Sequence, residues 1–261
     1  MKRCCLLLRP TGAKRNESVL VSLGTDGRIF LWVLNLLDLN DFTPSKAFSV
    51  STQDLGRSLP AHSEKSNLRS EVGITAASFS FEHENLFVIG CCGGALLLCS
   101  LQPAQEVAPS LQSANEQDLN FATPVQMAYI AHRSTVCCVD FSATGRNLFL
   151  SASVDGEMRV YNALDSKPVA LMHLEFGLAS ACFWSRERPV IYCLASGGTV
   201  RSIVLIHDGS HQSRLCYSCS PFLTTDEEEV SNLWLNCWKR SSEELALLSA
   251  RGELSIWKRT N

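Results

Sequence analysis

Two groups of side chains in this sequence are of types that can do chemistry. The first is His132, Ser151, Ser153, Asp155 and Tyr161, all within one stretch, HRSTVCCVDFSATGRNLFLSASVDGEMRVY. An imidazole, a hydroxyl and a carboxylate are the parts of an acyl-transfer triad, but a triad needs an exposed nucleophile beside an oxyanion hole, and no Gly-x-Ser-x-Gly elbow occurs. The structural alternative is that these groups are buried and satisfy one another, because each costs several kcal/mol, roughly 2–7 for a neutral polar group, if left unpaired. The second group is His207, His211, Cys216 and Cys219, in HDGSHQSRLCYSC. Its ligand types and Cys-x-x-Cys spacing suit a tetrahedral zinc ion if a loop folds them together. Against that, Cys216 and Cys219 fall in an expected strand, Leu215–Cys219, where residues three apart face opposite sides. The expectation is an exposed loop entering an outer strand, with no metal and no cofactor.

The elements that must position these residues recur along the chain. The stretch from His132 has an apolar alternating run, a turn, a second run closing on Ser-Val-Asp-Gly, and a third ending in an aromatic. That is the punctuation of one four-stranded propeller blade. An earlier copy reads Cys4–Leu8, Ser18–Leu23, a Thr25-Asp26-Gly27 turn and Arg28–Leu34, with Trp32 at the aromatic position. Others are Gly73–Phe81, Leu86–Gly90 and Ala95–Leu101; Leu178–Trp184, Val190–Ala195 and Val200–Ile206; and Ser231–Trp238, Leu245–Ser249 and Glu253–Lys258, with Trp257 as the terminal ring. Outer strands are expected near Ala47–Val50, Val125–Ile130, Val169–Leu174 and Leu215–Cys219. The reading is an all-β WD40-type β-propeller with about five visible blades, at 1–50, 71–130, 131–176, 177–220 and 229–261. In the WD-repeat pattern the histidine, serine, aspartate and ring form one hydrogen-bonded cluster. Only the copy at His132 carries all of them, as His132, Ser151 or Ser153, Asp155 and Tyr161.

Composition narrows the function classes. With 261 residues and 46% hydrophobic content there is apolar surface for a large core. A net charge of −3, and no run of Lys or Arg longer than two, leave no electrostatic footprint for nucleic acid. The apolar run Cys4–Leu8 is shorter than the roughly 7–15 residues of a signal peptide. LFVIGCCGGALLLCSL at Leu86–Leu101 is short of the roughly 18 residues of a spanning helix and is broken by Gly93-Gly94. It reads as two buried strands, so no membrane partner is expected and the chain is placed in the cytoplasm.

Most of the twelve cysteines sit inside expected strands, where cysteine serves as a small hydrophobe. Neighbours on a strand point to opposite faces, so Cys137 and Cys138, like Cys91 and Cys92, are each expected to put one sulfur in the core and one against the other layer. Without a secretory segment, reduced thiols are expected. Phe42–Ser70 and Gln102–Thr123 are rich in Ser, Gln, Asn and Pro and read as long loops, flexible over 51–70 and 102–123. Asp226–Glu229 is an acidic run of the kind that is usually solvated.

The run EVGITAASFSFEHENLFVIGCCGGALLLCSL and the longer one from Val136 to Leu205 resemble dynein intermediate chains, over most of the chain from about Cys4 onward. The phrase Arg146–Gly156 (RNLFLSASVDG) and the Trp-Ser-x-x-x-Pro phrase at Trp184–Pro189 carry the similarity. The blade with Thr25-Asp26-Gly27, followed by a long polar loop and then Glu71–Phe81, is most similar to the cytoplasmic dynein-2 branch, the motor of retrograde intraflagellar transport. The resemblance implies a non-catalytic scaffold in cytoplasm, cytoskeleton and cilium, axoneme and basal body included. Its partners would be the dynein heavy chain and a second intermediate chain. Light chains would bind an N-terminal extension, which no residue of this chain represents. ATP hydrolysis belongs to the heavy chain, and no Gly-x-x-x-x-Gly-Lys-Ser/Thr loop is present.

The resemblance also implies a larger, seven-bladed ring, since an open ring would leave strand edges that template aggregation; either further blades lie upstream of Met1, which is the favoured reading, or a smaller ring closes. Alternatives are a WD40 adaptor of another complex, such as ubiquitin-ligase or RNA-processing assemblies, and a zinc- or thiol-dependent protein. For docking, Arg186 and Arg188, flanking the Trp-Ser turn, are the candidate interface residues. Trp234 and Trp238 read equally well as core.

Overall fold

A computed structural model describes residues 4–10, 17–35, 44–58, 72–102, 121–175, 179–186, 189–195, 200–208, 212–218, 238–241, 244–248 and 254–258. Its strands assemble into five antiparallel sheets in chain order. The first sheet holds β1 (Cys4–Pro10), β2 (Glu17–Gly24), β3 (Arg28–Asn35) and β4 (Pro44–Ser49). The second holds β5 (Ile74–Phe79), β6 (Leu86–Cys91), β7 (Leu96–Ser100) and β8 (Val125–Ala128). Next come β9 (Val136–Phe141), β10 (Leu148–Ser153), β11 (Glu157–Asn162) and β12 (Pro168–His173). The fourth sheet holds β13 (Ala179–Trp184), β14 (Val190–Ala195), β15 (Val200–Asp208) and β16 (Gln212–Ser218). The last has β17 (Trp238–Ser241), β18 (Glu244–Leu248) and β19 (Leu254–Lys258). Within each sheet every strand pairs with its sequence neighbour, so each is a meander.

Packing between sheets explains the uncharged run from Leu86 to Leu101. On β6, Phe87 and Ile89 pack toward the first sheet, while Val88 packs toward the third. On β7, Leu97 and Cys99 take the first direction, and Leu96 and Leu98 the second. A middle strand of a blade is covered on both faces, so apolar side chains fall at consecutive positions rather than at every other one. Strand β10 repeats this, with Phe149 toward the second sheet and Leu150 and Ala152 toward the fourth. Each fully buried aliphatic or aromatic side chain contributes about 1.5–3 kcal/mol.

The first strands stand side by side. Thr75 on β5 donates its hydroxyl to Val136 O on β9 at 2.6 Å, and Ser78 reaches Asp140 at 3.4 Å. Asp140 in turn accepts from Trp184 N on β13 at 2.8 Å. The turns between second and third strands are closed by glycines with positive φ: Gly27 at 75°, Gly94 at 85° and Gly156 at 80°. The carbonyl of each accepts an N–H from the crossover leaving a fourth strand, from Val50, His132 and Leu174 at 2.9, 2.9 and 2.8 Å. A Cβ on Gly94 would collide with His132 O. Only glycine meets both the left-handed backbone and the close approach.

Several expectations are corrected. In the segment read as a loop from Phe42, β4 overlaps the outer strand expected near Ala47–Val50, and an unexpected 3-10 helix, Thr52–Ser58, buries Leu55. Asp54 fixes its start by accepting from Ser51 N at 2.7 Å and Ser51 Oγ at 2.9 Å, a capping signal in Ser-Thr-Gln-Asp that the polar composition concealed. Of the loop 102–123, residue Ala122 bridges Phe48 in parallel register; residues 59–70 and 103–120 lie outside the described residues. Of the first strand read at Ser231–Trp238, Trp238 lies in β17, and 231–237 lie outside the described residues.

Cys137 and Cys138 do not split between two faces: both pack against the same core between the third and fourth sheets. The register slips there, Ala152 facing Cys138 while Ser153 faces Val136, so Cys137 is the extra residue of a β-bulge. A bulge breaks the alternation that the expectation assumed. Cys91 is buried and Cys92, just past β6, is exposed rather than set against another layer. Cys182 and Cys193 are directly opposed partners on β13 and β14 with Cα atoms 4.3 Å apart. Facing positions on neighbouring strands bring the two side chains together, which spacing along the chain does not reveal.

Candidate functional site

The third sheet gathers its polar groups around the crossover that enters β9. His132, only 1% exposed, lies 2.7 Å through Nε2 from Ser151 Oγ and 3.2 Å through Nδ1 from Asp155 Oδ2. A carboxylate accepts only, so Nδ1–H donates to Asp155 and Nε2 accepts from the serine hydroxyl: a neutral imidazole with both nitrogens used. Asp155 also accepts from Arg133 N at 2.9 Å and, through Oδ1, from Glu157 N at 2.9 Å. It thereby fastens the crossover and the β10–β11 turn to each other. Ser153 bonds elsewhere, donating to Ser134 O at 3.0 Å and accepting from Asp155 N at 3.2 Å.

Tyr161 approaches from the far end of β11. Its hydroxyl donates to Ile130 O at 2.8 Å, and its ring stacks on Phe149 at 5.2 Å and 8°. What ties it to the rest is a buried ion pair that sequence reasoning missed. Arg159 donates to Glu157 Oε2 through Nε at 3.0 Å and Nη2 at 2.6 Å, and through Nη1 to Ala131 O at 3.0 Å and the Tyr161 hydroxyl at 3.4 Å. Both residues are 6% exposed. The available signal was charge at alternate positions of GEMRVY, Glu157 and Arg159 flanking Met158 with Val160 beyond. That pattern ordinarily marks a solvated face.

Burial, reinforced by the Arg159 charge, lowers the His132 pKa from its ordinary 6.5 and outweighs the pull of Asp155. For Asp155 burial acts upward, but the backbone N–H groups of Arg133 and Glu157, with His132, hold its carboxyl below the ordinary 3.8. Both signs run the same way. Folded His132 takes up a proton less readily than the unfolded chain does, so its contribution is complete above the ordinary value and shrinks as pH falls below it. The Asp155 contribution is lost further down, as pH drops through its folded value. The urea midpoint of the chain is therefore expected to be level above about pH 7 and to fall as the pH drops below about 6.5. His132→Gln should flatten that fall, and a midpoint that rises on acidification would contradict the assignment.

His132, Asp155 and Glu157 bring ligand atoms within 4.8 Å of one another, the metal-type group found among the described residues. Each is already committed, however, and the Arg159 guanidinium on Glu157 repels a cation. The arrangement therefore holds the blade together. Of the other set, His207 lies in β15 opposite Ser213, and Cys216 lies in β16 opposite Val204. Three residues separate Val204 from His207, so the two register positions belong to opposite faces. The segment read as an exposed loop is thus a hairpin whose first strand extends through His207. His211 and Cys219 lie outside the described residues.

Arg186 is exposed, at the turn after β13. Its guanidinium stacks on the half-exposed Phe81 ring at 4.4 Å and lies 3.7 Å from Asp140. This side chain of the fourth sheet thus passes over the third to reach the second. Asp140, 9% exposed, meets all three, a role no sequence pattern announced. Arg188 lies outside the described residues.

Comparison with known proteins agrees with this geometry. The family model described as WD domain, G-beta repeat matches residues 123–162, the stretch that carries the polar cluster. The chain superposes on one chain of a crystal structure of the mitotic checkpoint complex with a TM-score of 0.60, covering 93% of this chain and 62% of that one at 10% identity, a likeness of fold alone. Among curated proteins, cytoplasmic dynein 2 intermediate chain 2 of Mus musculus is 30% identical over 91% of this chain and 42% of its own length. The relatives of this chain are dynein intermediate chains. Dynein axonemal intermediate chain 4 of Rattus norvegicus extends the set, at 26% identity over 73% of this chain and 21% of its own. The chain spans under half the length of these intermediate chains. Its architecture is the WD40 β-propeller expected from the repeats.

Proposed function

We propose that the chain is a non-catalytic intermediate-chain subunit of a cytoplasmic dynein-2 complex. It scaffolds the motor by binding the dynein heavy chain, alongside a second intermediate chain, in retrograde intraflagellar transport and cilium assembly. The observation that carries this reading is similarity to dynein-2 intermediate chains over 91% of the chain. The coarser support is the propeller itself, whose polar groups are spent on holding blades together and leave docking to its surface. On that surface the Arg186–Phe81 pair is the favoured contact, since interfaces draw most of their affinity from a few arginines and aromatic rings. A cytoplasmic and ciliary location follows from the same relatives.

Affinity purification of the tagged chain from ciliated cells is expected to recover a dynein-2 heavy chain. Arg186→Glu should reduce that recovery about tenfold, a loss of about 1.4 kcal/mol, and Arg188→Glu tests the neighbouring position. Retained recovery in both variants removes these arginines from the interface. Recovery of ubiquitin-ligase or RNA-processing subunits in place of any dynein heavy chain would overturn the assignment itself.

A further inference from the structure

The bulge in β9 sets two neighbouring thiols side by side. On a regular strand adjacent side chains point to opposite faces, but Cys137 and Cys138 pack against the same core between the third and fourth sheets. Their sulfurs carry a relay of hydrogen bonds across that boundary. Cys182 N–H of β13 donates to Cys138 Sγ at 3.3 Å, the Cys138 thiol donates to Cys137 Sγ, and the Cys137 thiol donates to Ala152 O on β10 at 3.2 Å. Cys138 thus meets the fourth sheet through a backbone N–H, and the sulfur it touches is that of Cys137.

The relay makes the two thiols unequal. The bond given by Cys138 favours the Cys137 thiolate and holds its pKa below the ordinary 9.0, against burial, which acts upward. Giving that bond, together with burial, moves Cys138 well above the same value. The thiolate is the nucleophile, and Cys137 is only half-buried, so a small oxidant meets the reactive sulfur with a resolving thiol already in contact.

We propose that Cys137 and Cys138 are an oxidation site for hydrogen peroxide, which closes them into a vicinal disulfide and breaks the relay between the third and fourth sheets. Cys137 Sγ gives up its proton and bonds to one peroxide oxygen, the O–O bond breaks, and the released hydroxide takes up that proton as water, leaving a sulfenic acid on Cys137. Cys138 Sγ then gives up its proton and bonds to Cys137 Sγ, the S–O bond breaks, and the oxygen leaves with the proton as a second water. Two thiols are oxidised to one disulfide while one peroxide is reduced to two waters. The product has no S–H to donate, so Ala152 O loses its thiol donor.

The test uses the whole chain, purified under reductant, desalted, exposed to hydrogen peroxide at neutral pH, quenched with N-ethylmaleimide and digested with trypsin without reduction. Cleavage after Arg133 and Arg146 isolates Ser134–Arg146, whose only cysteines are Cys137 and Cys138. Wild type is expected to give this peptide unlabelled and lighter by a pair of hydrogen atoms, and dithiothreitol before the quench should restore a label on both thiols. Cys138→Ser should stop at the sulfenic acid and take up dimedone at Cys137, whereas Cys137→Ser should take up about tenfold less. The proposal is overturned if wild type keeps both thiols open to labelling after peroxide, or if the peptide is found bridged to Cys182 or Cys193 instead. It is equally overturned if Cys137→Ser takes up dimedone as readily as Cys138→Ser. Should either variant not fold, the wild-type peptide decides by itself.

Discussion

Glu157→Ala is expected to destabilise the fold by about 3–5 kcal/mol, the cost of leaving one member of a buried ion pair without its partner. Arg159 is 6% exposed and gives two of its donors to Glu157 Oε2. Its remaining bonds, to Ile130 O, Ala131 O and the Tyr161 hydroxyl, cannot neutralise a full charge that water does not reach. Denaturant unfolding of the chain should show a midpoint lowered at unchanged slope. The pair itself is a different matter, because desolvating both ions cancels much of their attraction. Glu157→Met combined with Arg159→Met should therefore cost clearly less than Glu157→Ala alone, the residual loss coming from Ala131 O. A double variant as unstable as the sum of the two single ones would show the groups acting independently and refute this account.

Asp155→Ala comes next, at about 2–4 kcal/mol, for a reason that is geometric rather than coulombic. The carboxylate is shared by His132 Nδ1, Arg133 N and Glu157 N, so its removal orphans three donors at once, each costing about 1–3 kcal/mol where water cannot substitute. The Arg133 end is open to solvent and will be partly rehydrated, which keeps the total below the simple sum. Asp155→Asn retains one acceptor and should cost about half as much. Hydrogen exchange localises the effect: amides of the His132–Thr135 crossover and of the 154–157 turn should lose protection together. Loss confined to the turn would mean that Asp155 does not join the two segments.

Most of the strand positions were legible because covering a strand on one face or two leaves distinct marks. Apolar runs at Val136–Phe141, Leu86–Cys91 and Leu96–Ser100 correspond to strands β9, β6 and β7, and Gly93-Gly94 stands at the turn between the last two. The capped helix at Thr52–Ser58 was hidden because a single buried residue, Leu55, is too little apolar content to stand out from a polar segment. The bulge at Cys137 was hidden because one extra residue in a ladder changes no residue type.

For the polar cluster, residue types and spacing selected His132, Ser151, Ser153, Asp155 and Tyr161 as the groups that have to be satisfied together. They could not divide the two serines between the histidine and the turn. Nor did they reveal that Arg159 links the ring to the rest, or that Asp140 joins three blades. Local sequence by itself determines which segments extend, where they turn and which side chains require a partner, since those depend on a residue and its near neighbours. Only the tertiary structure decides which partner each finds. Ser78, Asp140, Trp184 and Arg186 stand in three separate sheets, and their meeting is set by how the sheets pack, to which no short stretch of chain is sensitive.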